Sequence, residues 1–392
     1  MKRHRLRKGM SRPRRPLDKG RARLIVAASE MDSNILYATS FFAPDPFIFF
    51  QHRGRKYLVM SDLELDRAKK QAKVHAVLSL SGYQRRLRDG GRGNVTIVDI
   101  LGLIFKEKGI RSLLVPANFP VLLADRMRSS GFKLVVKEDP FFGDREIKTA
   151  AEVRKIRDSI RIAEVGLDAG IGALKRSKIG KDRYLYLNGR RLTSEAIKTV
   201  VNTAIMAEGW IPSHTIVASG NQCCDPHNEG YGPIKAHTSV VFDIFPRSQD
   251  TGYFGDLSRT VVRGRASERL KEAYETVRQG QEIGFRLIRD GVNGHEVHRK
   301  ILDLFQQRGF PTGKINGRMQ GFFHGTGHGL GLDIHEIPRI GGVESTLRTG
   351  HVVTVEPGLY YIGMGGVRLE DVVLVTRGGN RNLTHAPLFL EV

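Results

Sequence analysis

Three histidines fall within twelve residues in the stretch His324–Pro338, HGTGHGLGLDIHEIP, and glycine takes every other place from Gly325 to Gly331. Imidazoles at that density suit metal binding or proton transfer. A helix would set His324 and His328 on one face, but each of the four glycines disfavours a helix by about 1 kcal/mol. An extended chain also puts residues 324, 326, 328 and 330 on one face, and it leaves the other bare for a backbone or a ligand to approach. The pattern predicts a strand whose chemical face carries His324, Thr326, His328 and Leu330. A glycine-rich turn with unconnected histidines is the alternative.

The acids that could complete such a site lie on apolar runs. Val240–Phe245 is a strand with one carboxylate, Asp243, inside it, and a second strand, Tyr253–Val262, carries Asp256 after a loop holding Pro246 and Gly252. A buried carboxylate without a partner is disfavoured by several kcal/mol, and two side by side repel unless a cation lies between them. The device recurs. Val352–Glu356 ends at Pro357-Gly358, and Val367–Val375 returns with Glu370, on a face shared with Arg368. One such pair could be a structural salt bridge. Two acid-bearing hairpins beside a histidine strand point to divalent metal of the manganese, cobalt, iron or zinc kind. Bridging carboxylates favour two ions, which lower the pKa of a shared water and polarise a carbonyl, the chemistry of metal-assisted hydrolysis.

The elements that must hold these residues repeat coarsely. An amphipathic helix at about Ala151–Leu174 and a second helix opened by Thr193 or Ser194 precede strands from Thr215 to Val262. Helices at about Leu270–Ile288 and His295–Gln307 then precede strands from Gln320 onward. Two similar helix-helix-strand halves facing each other leave a cleft between them. Before them, short strands (Leu24–Ala28, Phe47–Phe50, Tyr57–Met60, Leu113–Val115, Leu134–Val136) alternate with an apolar segment from Val95 to Phe105 and a helix near Val121–Ser129, the mark of a small α/β layer domain. Its acids Glu30, Asp32 and Asp45 form no constellation. The polar stretch Lys137–Arg145, broken by Pro140 and Gly143, reads as the linker.

Composition excludes other classes. With 392 residues, 40% hydrophobic and 27% charged, the chain can hold two cored domains. No run approaches the ~20 apolar residues of a membrane helix. The two cysteines, Cys223 and Cys224, are adjacent, which favours packing over a disulfide and a reduced cytoplasm over an oxidising compartment. Of the net charge of +22, residues 1–24 contribute +10. That leader lacks the apolar core of a secretory signal. It reads as disordered: a plain solvated tail or an early start codon, with nucleic-acid contact the less favoured alternative.

The ordered set Asp243, Asp256, His328, Glu356 and Glu370, with HGTGHGLGLDIHE and GVRLED around it, closely resembles the metallopeptidase family of methionine aminopeptidase, Xaa-Pro aminopeptidase and prolidase. The resemblance implies an α/β (α+β) chain: a leader over residues 1–23, a creatinase-type N-terminal domain over 24–140 and a pita-bread catalytic domain over 147–392. By that resemblance Asp243 holds one metal, Asp256 and Glu370 bridge two, His328 is the single imidazole ligand, and Glu356 is both ligand and proton shuttle. His227 would contact substrate near the leaving amine, His335 would stabilise the oxyanion, and His324 is a further active-site histidine of the proline-specific branch. Arg368 would stand behind the ligands and orient a carboxylate. The other histidines read as surface or structural, with His214 less clear. The implied cofactors are two divalent ions, manganese before cobalt, zinc or iron. The implied substrates are peptides with proline second, and the implied assembly is a homodimer. An Xaa-Pro aminopeptidase is the first expectation, prolidase the second, and a metal-free binding protein of the same fold the third. One departure stands out: Asp243-Ile244-Phe245-Pro246-Arg247 replaces the family's usual Asp-Leu-Gly, in a loop about two residues longer, which bears on substrate preference.

Overall fold

The computed structural model describes residues 21–392. The leader assigned to residues 1–23 lies, except for its last three residues, outside the described residues. The chain divides into two compact units between Phe142 and Gly143.

The first unit is one mixed sheet covered on both faces. Its strands are β1 (Ala22–Ala27), β2 (Phe47–His52), β3 (Arg55–Met60), β4 (Ala76–Ser79), β5 (Ser112–Pro116) and β6 (Lys133–Lys137), in the order β4-β3-β2-β1-β5-β6. Neighbouring residues feed opposite cores: Leu24, Ile48, Phe50 and Val59 pack on one face, and Ile25, Phe49, Leu58 and Met60 on the other. Burial on both faces is why these strands read as unbroken apolar runs. The apolar segment from Val95 is a helix, Ile97–Glu107, opened by a Thr96/Asp99 capping box. Sequence pattern misses the helices Asp62–Gln71 and Leu80–Asp89, which are short and rich in charge: beyond Ala68 their core contacts are half-buried, Leu65 in the first and Leu80, Tyr83 and Leu87 in the second. The stretch Lys137–Arg145, expected as the linker, contains the division between the units, and its Phe141 and Phe142 enter the core of the first unit.

The second unit carries the repeat. Helices α1 (Ala150–Arg176) and α2 (Ser194–Ala207) back a sheet of β7 (Ile216–Ser219), β8 (Ser239–Asp243) and β9 (Ser258–Val262). Helices α3 (Glu268–Leu287) and α4 (Gly294–Gln307) back a sheet built from β10 (Gly327–Gly329), β11 (Glu336–Ile340), β12 (Val352–Val355), β15 (Asp371–Val375) and β16 (Asn380–Asn382), in the order β11-β10-β12-β15-β16. The hairpin of β13 (Gly358–Tyr361) and β14 (Gly365–Arg368) stands apart. Each half has its own apolar core.

The halves are braced alike. On α1, a Cβ at Gly166 would lie 2.9 Å from Ile205 of α2, and one at Gly170 would lie 2.6 Å from Phe242, the residue before Asp243. On α3, a Cβ at Gly280 would lie 2.7 Å from Phe305 of α4, and one at Gly284 would lie 2.6 Å from Val355, the residue before Glu356. In both halves a glycine pair four residues apart lets the long helix press on its partner and on the strand that delivers an acid.

Three strand expectations are corrected. The ladder of β9 begins at Ser258, so Asp256 precedes it. The run Val367–Val375 breaks after Arg368, because Leu369-Glu370 leaves the β13–β14 hairpin for the main sheet and Glu370 N donates to Ser258 O at 3.0 Å. The glycine strand is regular only over Gly327–Gly329, and its register shifts after His328.

His298 and His351 are buried neutral imidazoles, each pushed down to about 4 by burial first and nearby positive charge second. A folded pKa below the unfolded value of about 6.5 means their contribution to stability is full above pH 6.5 and is lost as pH falls toward 4. The melting midpoint of His351→Gln will therefore fall less than that of the wild type between pH 7 and pH 4.5, as followed by circular dichroism. An equal fall in both proteins would contradict the assignment.

Candidate metal centre and substrate cleft

All nine residues singled out from the sequence line one cavity of about 860 Å³: His227, Asp243, Asp256, His324, His328, His335, Glu356, Arg368 and Glu370. The acids stand at strand ends. Asp243 is the last residue of β8, Glu356 follows β12, and Glu370 precedes β15. Strand ends let a side chain leave the pleat while the ladder beside it holds the backbone.

Asp256, His328 and Glu370 bring ligand atoms within 4.8 Å of one another, and all three are at most 5% exposed. Glu356 Oε1 lies 3.3 Å from His328 Nε2, and Asp256 Oδ2 lies 3.7 Å from it. The His328 Nδ1 faces the Gly329 carbonyl at 3.1 Å. A carbonyl only accepts, so Nδ1 carries the proton and the Nε2 lone pair is turned toward the carboxylates. Burial, followed by the His335 and Arg339 charges, pushes this imidazole down to about 3, so it is neutral. A lone pair aimed at carboxylate oxygens is repulsive unless a cation lies between them.

The carboxylates tell the same story. Burial, then the charges of Asp243 and Glu356, raises Asp256 well above the usual carboxylate range, and burial with Asp256 and Glu356 does the same to Glu370. Burial pushes Glu356 up to about 7, with Arg368 opposing and Asp243 reinforcing. The one strong cation contact goes to Asp243, whose Oδ2 accepts from Arg368 Nη2 at 2.6 Å. Arg368 Nε donates to Ser258 Oγ at 3.0 Å, and Ser258 Oγ donates to Glu370 Oε2 at 2.8 Å. One buried guanidinium thus orients a carboxylate from each half. Four carboxylates, one neutral imidazole and one arginine make a donor set that fits divalent ions.

The other histidines differ among themselves. His324 has both ring nitrogens engaged: Nδ1 donates to its neighbour's carbonyl at 2.8 Å, and Nε2 accepts from Tyr360 OH at 2.9 Å. Tyr360 OH in turn accepts from Arg368 Nη1 at 3.2 Å. His335 is exposed in the cleft and stands edge-on to the His328 ring, with centroids 4.4 Å apart. His227 is exposed on the cleft wall. His214, on the same wall, pairs with Glu229 at 2.8 Å. Cys223 and Cys224 are free and buried, packed behind the site.

Sequence reasoning missed Ser258, Thr354, Tyr360 and His298. Thr354 Oγ1 donates to Glu356 Oε1 at 3.2 Å and accepts from His328 N at 3.0 Å, and His298 Nδ1 meets Thr326 Oγ1 at 2.9 Å. Only position 326, on the histidine face of the glycine stretch, carried a signal. The bare face of that stretch is filled by the protein itself: a Cβ at Gly327 would lie 2.0 Å from Thr354 O, and one at Gly329 would lie 2.3 Å from Ile337 O. Those glycines admit neighbouring strands, where a ligand's backbone was the other expectation.

Two helix-backed halves closing on a carboxylate-rich cleft define a pita-bread metallohydrolase. A model described as metallopeptidase family M24 matches residues 154–377, and the chain belongs to that family. It is 30% identical over 287 residues to an Xaa-Pro dipeptidase of Pyrococcus horikoshii, covering 71% of this chain and 74% of that protein. Among solved structures it is similar to the X-Pro aminopeptidase of Thermotoga maritima, with a TM-score of 0.79 and 22% identity over 95% of this chain and 97% of that one. It is also similar to an Xaa-Pro dipeptidase from Bacillus anthracis, with a TM-score of 0.78 and 24% identity over 95% of each chain. No helix among the described residues is long and apolar enough to cross a membrane.

Removing metal leaves the buried carboxylates to repel one another. Protein stripped by a chelator will therefore melt at a lower temperature, and added manganese, cobalt or zinc will raise the midpoint. Metal at 100 times its dissociation constant contributes about 2.7 kcal/mol per site. A midpoint indifferent to metal would rule out this donor set as an ion site.

Proposed function

We propose that this chain hydrolyses the peptide bond before proline at the second position of peptides, as an Xaa-Pro aminopeptidase. Asp243, Asp256, His328, Glu356 and Glu370 would hold two divalent ions, manganese first, with cobalt, zinc and iron as alternatives. When bound, such ions supply Lewis acidity, making water a nucleophile at neutral pH and polarising the scissile carbonyl. The observation that carries this reading is the buried, neutral His328 Nε2 facing carboxylates that lack cations of their own. In this scheme residues 24–140 are a creatinase-type domain, and two chains form a homodimer.

The residues then divide the work. Glu356, at the end of β12 beside His328, carries a proton from the attacking water to the leaving nitrogen. His335, exposed beside His328, donates to the oxygen that gains charge, and His227 steadies the leaving amine. His324 has no free nitrogen and acts through Tyr360, which it holds against Arg368.

One observation favours a dipeptidase instead. Arg339 lines the cleft, is exposed, and has no carboxylate partner among the described residues, so it offers a guanidinium to a substrate's C-terminus. Rates on Xaa-Pro dipeptides against Xaa-Pro tripeptides, with manganese, cobalt and zinc in turn, will separate the readings. An aminopeptidase cleaves both, whereas a dipeptidase rejects the tripeptide and loses dipeptide affinity in Arg339→Ala.

The roles of single residues are open to test. Glu356→Gln will lower kcat by about 10²- to 10⁴-fold, the usual yield of general acid–base catalysis. His328→Ala will lose bound metal, measured by elemental analysis, while His335→Ala will retain it and lose turnover. Wild-type turnover in Glu356→Gln with metal bound would remove the proton-shuttle role. Failure of the wild type to bind metal or cleave any Xaa-Pro peptide would instead favour a non-catalytic binding protein.

A further inference from the structure

His335 is placed in the cleft by groups other than its own ring. The imidazole is exposed, has no hydrogen bond among the described residues, and stands edge-on to the ring of His328. Its neighbour Glu336 opens β11. His335 is the last residue of the bend that leads into β11, so fixing Glu336 at the first position of the strand fixes the backbone from which the His335 side chain projects.

Glu336 is held from every side. Arg145 Nη2 donates to Oε1 at 2.6 Å, and Lys148 Nζ donates to Oε2 at 2.6 Å. Leu332 N and Asp333 N donate to Oε1 at 3.1 and 3.2 Å. Arg145 also pairs with Asp333 at 2.7 Å, and Lys148 Nζ is tied to Arg145 O at 2.5 Å. The Glu336, Arg145 and Lys148 side chains are 8%, 9% and 2% exposed, so water does not loosen the cluster. A Cβ at Gly331 would lie 2.7 Å from either carboxylate oxygen, so the loop folds over Glu336 only with glycine there. Gly331 O accepts from Phe254 N at 2.9 Å, which ties the loop to the segment leading into Asp256.

We propose that Glu336, clasped by Arg145 and Lys148, is a positioning residue that sets His335 over the cleft opposite the ligands. The inference rests on the reading of His335 as the side chain that donates to the developing oxyanion. The clasp joins the start of the second unit to the loop that carries the working imidazole. The clasp bonds to Glu336 and to the loop before it, so it acts on the geometry of His335.

A double-mutant cycle tests this. Glu336→Ala will lower kcat by about 10- to 100-fold, the scale of an ångström's misplacement, with KM and metal content unchanged. The Glu336→Ala/His335→Ala double variant will be no slower than His335→Ala, since groups acting as one unit are not additive. In metal-free protein, the His335 imidazole resonance, identified by its loss in His335→Ala, will shift in Glu336→Ala. Glu336→Gln keeps an oxygen for the two backbone donors and will lose less. A double variant slowed by the product of the two factors, an unmoved His335 resonance, or loss of metal would overturn the proposal. If His335→Ala keeps full kcat, the oxyanion role fails by itself, and the resonance alone decides the clasp. Should Glu336→Ala not fold, Gly331→Ala crowds the same carboxylate with every charge retained and takes its place in the cycle.

Discussion

Mutual repulsion among four carboxylates, two buried and two half-buried, is the constraint on which the second unit depends. Asp243, Asp256, Glu356 and Glu370 share a cavity with a neutral imidazole, and among the described residues Arg368 is the one cation in ion-pair contact with any of them. One guanidinium leaves a deficit that divalent ions are suited to fill. The surrounding structure holds the charges in place against that repulsion: Ser258 between Arg368 and Glu370, Thr354 between Glu356 and the backbone of His328, and Tyr360 between Arg368 and His324.

Much of this was legible in the chain itself. A lone acid inside an apolar run is a local signal, and it occurs in Val240–Phe245 and again in Val352–Glu356. Helix limits were legible where an apolar stripe met a cap, as at Thr193, whose side chain accepts from Ala196 N. The two charge-rich helices of the first unit went unmarked, because their apolar residues are few and mostly half-buried.

Most of what was not legible depends on partners distant in sequence. Ser258 meets Glu370, Tyr360 meets His324, and Arg145 and Lys148 meet Glu336, and a serine or lysine looks the same whatever it will meet. Arg368 and Asp243 are 125 residues apart, and Lys148 and Glu336 are 188 apart. Glycine left the choice open for a related reason: the bare face at Gly327 and Gly329 could admit a backbone or a ligand, and the backbone atoms Thr354 O and Ile337 O occupy it. Spacing shows that something comes close, and only the fold shows what.

The glycine pairs on the backs of the two long helices carry a consequence of their own. Gly170 and Gly284 touch the residues just before Asp243 and Glu356, so the depth to which each helix sinks governs how far each acid reaches forward. The gap that the ions must span is thus gauged from behind, by positions that never meet metal, water or peptide. An added methyl there would act as a shim, moving one jaw of the cleft relative to the other while every ligand kept its identity. Two copies of the same gauge, one per half, make the aperture a property of the repeat, which lets selectivity among ions of different radius drift without any change in the residues that bind them.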